Sequence, residues 1–170
     1  MFNQQTKFTV KGLKTWNTDD GGGCQGYLLA DGQKVAYFHD DGNGGEMRSD
    51  YEKGMKEPFE AFIATLPSIH VNDVTIRPDF GIFVDSIINA TMKEKFIDSV
   101  VNRTVKNLAT KTIFKYKGET CLRSVKYNWN QYSDALRKCS WWHKVEVCYN
   151  DMPIDKAKSA IETLTREQYK

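Results

Sequence analysis

Long apolar runs, clustered cysteines and an excess of one charge are what this chain lacks, and each shortage removes a class of protein. No apolar stretch approaches the roughly 20 residues that cross a bilayer as a helix, and the opening Met1-Phe-Asn-Gln-Gln-Thr-Lys7 has neither the basic nor the apolar part of a signal peptide. The expectation is a cytoplasmic protein with no membrane partner. The four cysteines, Cys24, Cys121, Cys139 and Cys148, have none of the close spacings of a zinc site, so they read as four isolated buried thiols with no metal. Lys and Arg number 24 against 22 Asp and Glu, and a net charge of +2 is too small to imply nucleic acid by itself. No cofactor fingerprint stands in the chain, and none is expected.

What remains is an ordinary globular composition. With 170 residues, 40% of them hydrophobic, one domain over 1–170 would bury about two-thirds of the surface its unfolded form exposes. The charge is unevenly spread: residues 1–78 hold 8 Lys and Arg against 11 Asp and Glu, and residues 79–170 hold 16 against 11. Such a dipole suits a charged partner surface.

The hydrophobic spacing predicts an α+β fold, with an N-terminal antiparallel β-meander, a central helical section, a second antiparallel sheet section and a C-terminal helix. Lys7 to Trp16 alternates up to Gly12 and then changes parity, as a strand does at a bulge. Gly26 to Ala30 and Gln33 to Phe38 flank Asp31-Gly32, the strongest short hairpin signal, completing a three-stranded meander. Asp50 to Leu66 is weakly helical, with Pro58 in a first turn, and 67–78 reads as a connection holding one extended piece from Val71 to Ile76. Asp79 to Thr110 has helical spacing, as one helix or two joined near Asn89-Ala-Thr91. Strands are predicted at Lys111–Lys117, with one face wet, at Thr120–Lys126 and at Lys144–Tyr149. A short helix is expected at Tyr132–Cys139, and a closing helix at Asp151–Tyr169 with Asp151 as N-cap.

Three segments qualify as candidate sites. Asp40-Asp-Gly-Asn-Gly-Gly-Glu46 offers Asp40, Asp41 and Asn43 as oxygen ligands or as a binding loop, yet it lacks EF-hand spacing, its carboxylates would repel phosphate, and glycine with short acids is turn chemistry. His39 beside Asp41 is a possible base, and Cys121, Cys139 or Cys148 with His143 a possible nucleophile pair. A surface histidine and structural thiols are the simpler readings. Lys138-Cys-Ser-Trp-Trp-His-Lys144 is the third. Two adjacent tryptophans on a strand point apart, so Trp141 and Trp142, with His143, Lys144, Trp129, Tyr132 and Lys138, form a candidate partner-binding surface. Two other readings stay open: an aromatic core under the second sheet, and bases stacking on rings between Lys126, Arg137, Lys138 and Lys144.

The segment from Leu28 to Gly45 has the form L-x-x-D-G-x-x-V-A-x-x-x-D-D-G-x-G-G, and Lys111-Thr-Ile-Phe-Lys-Tyr-Lys-Gly118 has the form K-T-x-F-x-x-K-G. In these two segments, 26 of the 170 residues, it resembles small uncharacterised proteins of phages and prophages. The resemblance carries no catalytic residue. It implies a viral protein in the host cytoplasm that acts by protein–protein interaction on a host machine, such as a CRISPR effector, a nuclease or another defence protein. That is an anti-defence, anti-CRISPR-like inhibitor and not an enzyme; the alternative is a small nucleic-acid-binding regulator.

Overall fold

The computed structural model describes residues 2–169 and is an α+β protein. Its element order is β1 (Phe8–Asn17), β2 (Gly22–Ala30), β3 (Gln33–Asp40), β4 (Arg48–Tyr51), α1 (Lys56–Ile63), β5 (Ile69–Val71), β6 (Val74–Ile76), α2 (Phe80–Asn107), β7 (Thr112–Tyr116), β8 (Arg123–Val125), α3 (Trp129–Arg137), β9 (Val145–Cys148) and α4 (Ile154–Gln168). Residues 1–92 and 93–170 form two compact units, each with its own core, and the boundary falls inside α2. Among the described residues no helix is long and apolar enough to cross a membrane.

In the first unit β1 to β4 form an antiparallel meander in sequence order. Cys24, Gly26, Leu28 and Ala30 are buried at every second position of β2, so one sheet face is apolar and meets the helices. The β1–β2 register shifts between Lys11 and Lys14, and Gly12, at φ +66°, takes the left-handed conformation the bulge requires. Asp31 and Gly32 also have positive φ, the backbone of a two-residue hairpin turn, and the Asp31 carboxylate accepts the Lys7 N–H at 2.9 Å. Over this face Phe8, Phe59, Phe62 and Phe83 meet mostly edge to face at 5.0–5.9 Å, the geometry that aligns ring edges with ring faces. Phe38, Phe59 and Val84 at the centre are fully buried.

Two expectations for this unit are corrected. The meander has four strands, because Arg48–Tyr51 pairs with β3 from Ala36 to His39; helix begins only at Lys56, with Pro58 in its first turn. The connection at 67–78 is a β-ribbon: Ile69 pairs with Ile76 and Val71 with Val74 across a turn that has Asn72 at φ +52°. The short β-branched run was legible, but its Asn72-Asp73 turn was missed.

In the second unit β7 is the middle strand of an antiparallel sheet of order β8-β7-β9. The prediction of a wet face on β7 is overturned. Ile113 packs with Ile97, Val101, Ala157 and Ile161 of α2 and α4, while Phe114 on the other face lies against Trp141 at 5.1 Å. Asn150 fixes the strand's entry: its side-chain oxygen accepts the Ile113 N–H at 2.7 Å, and its amide donates to the Leu108 and Lys111 carbonyls, each at 2.9 Å. One side chain thereby satisfies three backbone groups that lie outside ladder or helix. A single helix, Phe80–Asn107, spans the whole central section. α3 starts at Trp129, with Asn128 as its cap accepting the Asn130 N–H at 2.9 Å. α4 starts at Ile154 with no side-chain cap, and the Asp151 carboxylate is used elsewhere.

The loop after β3 generates a direct stability test. Gly42 has φ +80°, and a β-carbon there would sit 2.6 Å from the Gly23 nitrogen, whereas Gly44 at φ +75° has open space around it. We expect Gly44→Ala to cost about 1 kcal/mol from backbone strain and Gly42→Ala about 2–4 kcal/mol from strain plus backbone overlap, compared by urea denaturation. Equal losses would show that Gly42 is not packed against β2.

Candidate functional site: an aromatic ladder and its basic rim

The Trp141–Trp142 segment forms a short 3₁₀ turn leading into β9, and both tryptophans are half-buried. Trp141 stacks on Phe114 with ring centroids 5.1 Å apart and planes at 20°, and Trp142 stacks on Trp129 at 5.3 Å and 17°. The two tryptophans meet each other at 5.6 Å, and Tyr116 closes the row on Trp141 at 6.5 Å. Leu136, Cys148 and the buried Trp129 lie beneath. Of the two open readings for these rings, the aromatic core under the second sheet describes the geometry.

Cations sit on the ladder. The Arg137 guanidinium lies 5.1 Å from the Trp129 ring centroid, and Arg123 lies 5.2 Å from that of Tyr116. Asp151 accepts the Trp129 indole N–H at 2.9 Å and pairs with Arg137 at 3.1 Å, so one carboxylate holds both ring and cation. Glu119 holds Arg123 through two bonds of 2.8 and 2.9 Å, and that bidentate contact keeps the Glu119 carboxyl below its ordinary value. On β7 and β9, Lys115 and Glu146 pair at 2.8 Å.

Beyond these pairs the surface is basic and carries two large exposed rings. Tyr127 and Tyr132 are 55% and 46% exposed and meet edge to face at 5.5 Å. Tyr127, which directly follows Lys126 after β8, lies outside the surface expected from the sequence, whereas Tyr132 belongs to it. Lys126, Lys138, His143 and Lys144 are all exposed, and none of the three lysines is in an ion pair among the described residues. The unit from 93 to 170 holds 16 Lys and Arg against 9 Asp and Glu, and the unit from 1 to 92 holds 8 against 13. Division by compact units thus sharpens the contrast seen along the sequence.

The loop residues Asp40, Asp41 and Asn43 lie in the first unit. Their carboxylates turn back on the chain: Asp40 accepts the Gly42 N–H at 2.8 Å and Asp41 the Asn43 N–H at 3.1 Å, while Thr18 donates to the Gly42 carbonyl at 2.7 Å. Among the described residues no three His, Cys, Asp or Glu converge as metal ligands. The His39 ring lies 5.5 Å from Trp16.

The thiols divide into two classes. Cys24 and Cys148 are buried as expected, whereas Cys121 and Cys139 are only half-buried, a correction to the expectation of four buried thiols. Burial, then the charges of Asp40 and Asp85, push the Cys24 thiol up to about 11, and burial raises Cys148. Asp85 is raised in turn by partial desolvation and then by Asp40 and Asp79. Cys139 donates to the Ala135 carbonyl at 3.5 Å and Cys121 to Glu119 at 3.6 Å, and among the described residues no thiol bonds to His143.

A feature absent from the sequence reading is an open cleft of about 1000 Å³ in the first unit, lined by β4, α1 and the segments on either side of the β5–β6 ribbon. No protein-family model, no curated protein and no solved structure matches the chain.

The ladder predicts that Trp142→Ala lowers stability by about 2–4 kcal/mol, because a large ring leaves a cavity between Trp129 and Trp141. Asp151→Ala should cost about 1–3 kcal/mol by orphaning the indole N–H. Tyr132→Ala should cost under about 0.5 kcal/mol, as an exposed position. Thermal melts compare all three, and a Trp142→Ala protein as stable as Tyr132→Ala would remove the ladder from the core. A disulfide reagent at pH 8 should label Cys121 and Cys139 first, and Cys24 and Cys148 only with denaturant. Because the Cys24 pKa is raised in the folded state, its contribution to stability is whole below about pH 9 and declines as pH rises towards about 11, where the unfolded chain ionises first.

Proposed function

We propose that the protein is a phage-type binding protein without turnover, which inhibits a host protein machine by occupying it through the basic surface of its second unit. A defence effector or nuclease is the class of target that the resemblance implies, which makes the protein an anti-defence, anti-CRISPR-like inhibitor. The observation that carries this reading is the division of labour among the aromatics. The ladder rings cover one another's faces, and the Tyr127–Tyr132 pair stands exposed beside unpaired lysines. A large exposed ring with an amphipathic tip among cations is the composition of an interface anchor, and acidic protein surface is its complement.

The alternative, a small nucleic-acid-binding regulator, draws on the same positive charge. It needs free ring faces on which bases can stack. Trp129 has Trp142 on one face and Arg137 over its ring, and Trp141 has Phe114 against it. These contacts close the ladder's ring faces to bases and leave phosphate attraction and the exposed tyrosines as the support for nucleic acid.

The test is capture by the tagged full-length chain from nuclease-treated bacterial host lysate. We expect one dominant protein to survive nuclease, and the Tyr127→Ala/Tyr132→Ala protein to bind it about 30-fold less tightly, the loss of roughly 2 kcal/mol typical of an anchor, with its melting temperature little changed. Capture unaffected by the double replacement would refute the Tyr anchor. Capture abolished by nuclease would establish the nucleic-acid alternative instead.

A further inference from the structure

The β5–β6 ribbon of the first unit has none of its six residues buried. Ile69, Val71, Val74 and Ile76 are 42%, 50%, 60% and 37% exposed, and the pairing of Ile69 with Ile76 and Val71 with Val74 places all four on one face. His70 and Thr75 pair on the other face, joined by a hydrogen bond of 3.0 Å. A two-stranded ribbon standing alone is marginal in water, and β-branched side chains that face solvent add nothing to it until something covers them. Among the described residues each of its strands has a partner strand on one side only.

The cleft adjoins this ribbon, since Ser68 and Arg77 at the ribbon's base are among its walls. Its lining carries six carboxylates, Glu46, Asp50, Glu52, Glu57, Glu60 and Asp79, against Lys53, Lys56 and Arg77. Only Glu60 among these acids is in an ion pair among the described residues, a long contact of 3.9 Å to Lys56, and Asp79 accepts the Ile82 N–H at 2.8 Å. The cleft wall also includes Ser49, Asp50 and Tyr51 of β4, which pairs with β3 on one side and, among the described residues, with no strand on the other. An apolar strand face, an open strand edge and uncompensated negative charge therefore meet in one unit.

We propose that the apolar face of the β5–β6 ribbon and the acidic cleft beside it form a docking site for an extended segment of a partner protein that alternates β-branched and basic residues. The β-branched side chains of such a segment cover the ribbon's apolar face, and its long Lys or Arg side chains reach the carboxylates of the cleft that adjoins the ribbon's base. Charge chooses this occupant over an acidic or neutral segment. Area argues against a second copy of the chain: two ribbons stacked face to face would remove on the order of 600 Å² from water, well short of the roughly 1,200–2,000 Å² of a stable dimer. The site goes beyond the reading of the second unit and shares no residue with it.

The experiment uses the full-length protein and a fluorescein-labelled peptide of roughly eight alternating Lys and Val residues, followed by fluorescence anisotropy. No host partner is present, so the outcome is independent of the capture experiment. We expect saturable binding that weakens as salt is raised, and at least about tenfold loss in each of two controls: the Val71→Ser/Val74→Ser protein, and a peptide with every Val replaced by Ser and its charge unchanged. The replaced valines are exposed, so an unaltered melting temperature confirms that the variant is folded. The proposal is overturned by absence of binding, by equal binding of either control, or by sedimentation showing self-association that the valine replacements abolish.

Discussion

Burial of β7 on both faces is the constraint on which the second unit depends. A middle strand five residues long must supply apolar side chains in both directions, and Ile113 and Phe114 do so at adjacent positions. One enters the helical core of α2 and α4, and the other begins the aromatic ladder. Asn150 sets the strand's register against the end of α2 by bonding to Leu108, Lys111 and Ile113. Once Phe114 is committed to that face, Trp141, Trp142 and Trp129 become its cover. What the unit can offer a partner is the rim, where exposed tyrosines and lysines carry no packing duty.

The first unit follows a parallel logic. Its glycine- and aspartate-rich stretch, the most motif-like part of the chain, is absorbed by the fold: Asp31-Gly32 turns a hairpin, Asp40 and Asp41 bond to their own loop, and Gly42 packs against β2. The unusual chemistry of the unit lies instead in the plain segment from Glu46 to Phe80, where an edge strand, an acidic cleft and an uncovered ribbon come together. In either unit the proposed binding surface is one that packing leaves free.

Local signals in the sequence were reliable where one residue type enforces one backbone. The Gly12 bulge, the Asp31-Gly32 turn, Pro58 in a first helical turn and the helical spacing after Asp79 were all legible, and so was the α+β class. Failures arose where a tertiary contact outbid local chemistry. Asp151 has the composition of an N-cap, but the Trp129 indole and the Arg137 guanidinium offer its carboxylate stronger partners. Lys111, Lys115 and Lys117 suggested a wet face on β7, but Ile113 on that face is buried against α2 and α4, and Lys115 pairs with Glu146. Adjacent tryptophans were expected to point apart as on a strand; in a 3₁₀ turn both are half-buried and in contact with each other. The ribbon was readable in principle from the palindromic Ile-x-Val-Asn-Asp-Val-x-Ile, but that pattern resembles no known motif.

The central claim is that the basic surface of the second unit engages a protein directly. Lysine cross-linking of the full-length chain in nuclease-treated host lysate, read by mass spectrometry, tests it most directly. The account predicts cross-links from Lys126, Lys138 and Lys144 to one host protein, next to acidic stretches of that protein. Cross-links confined to lysines of the first unit, or a pattern scattered over many proteins with none dominant, would contradict it.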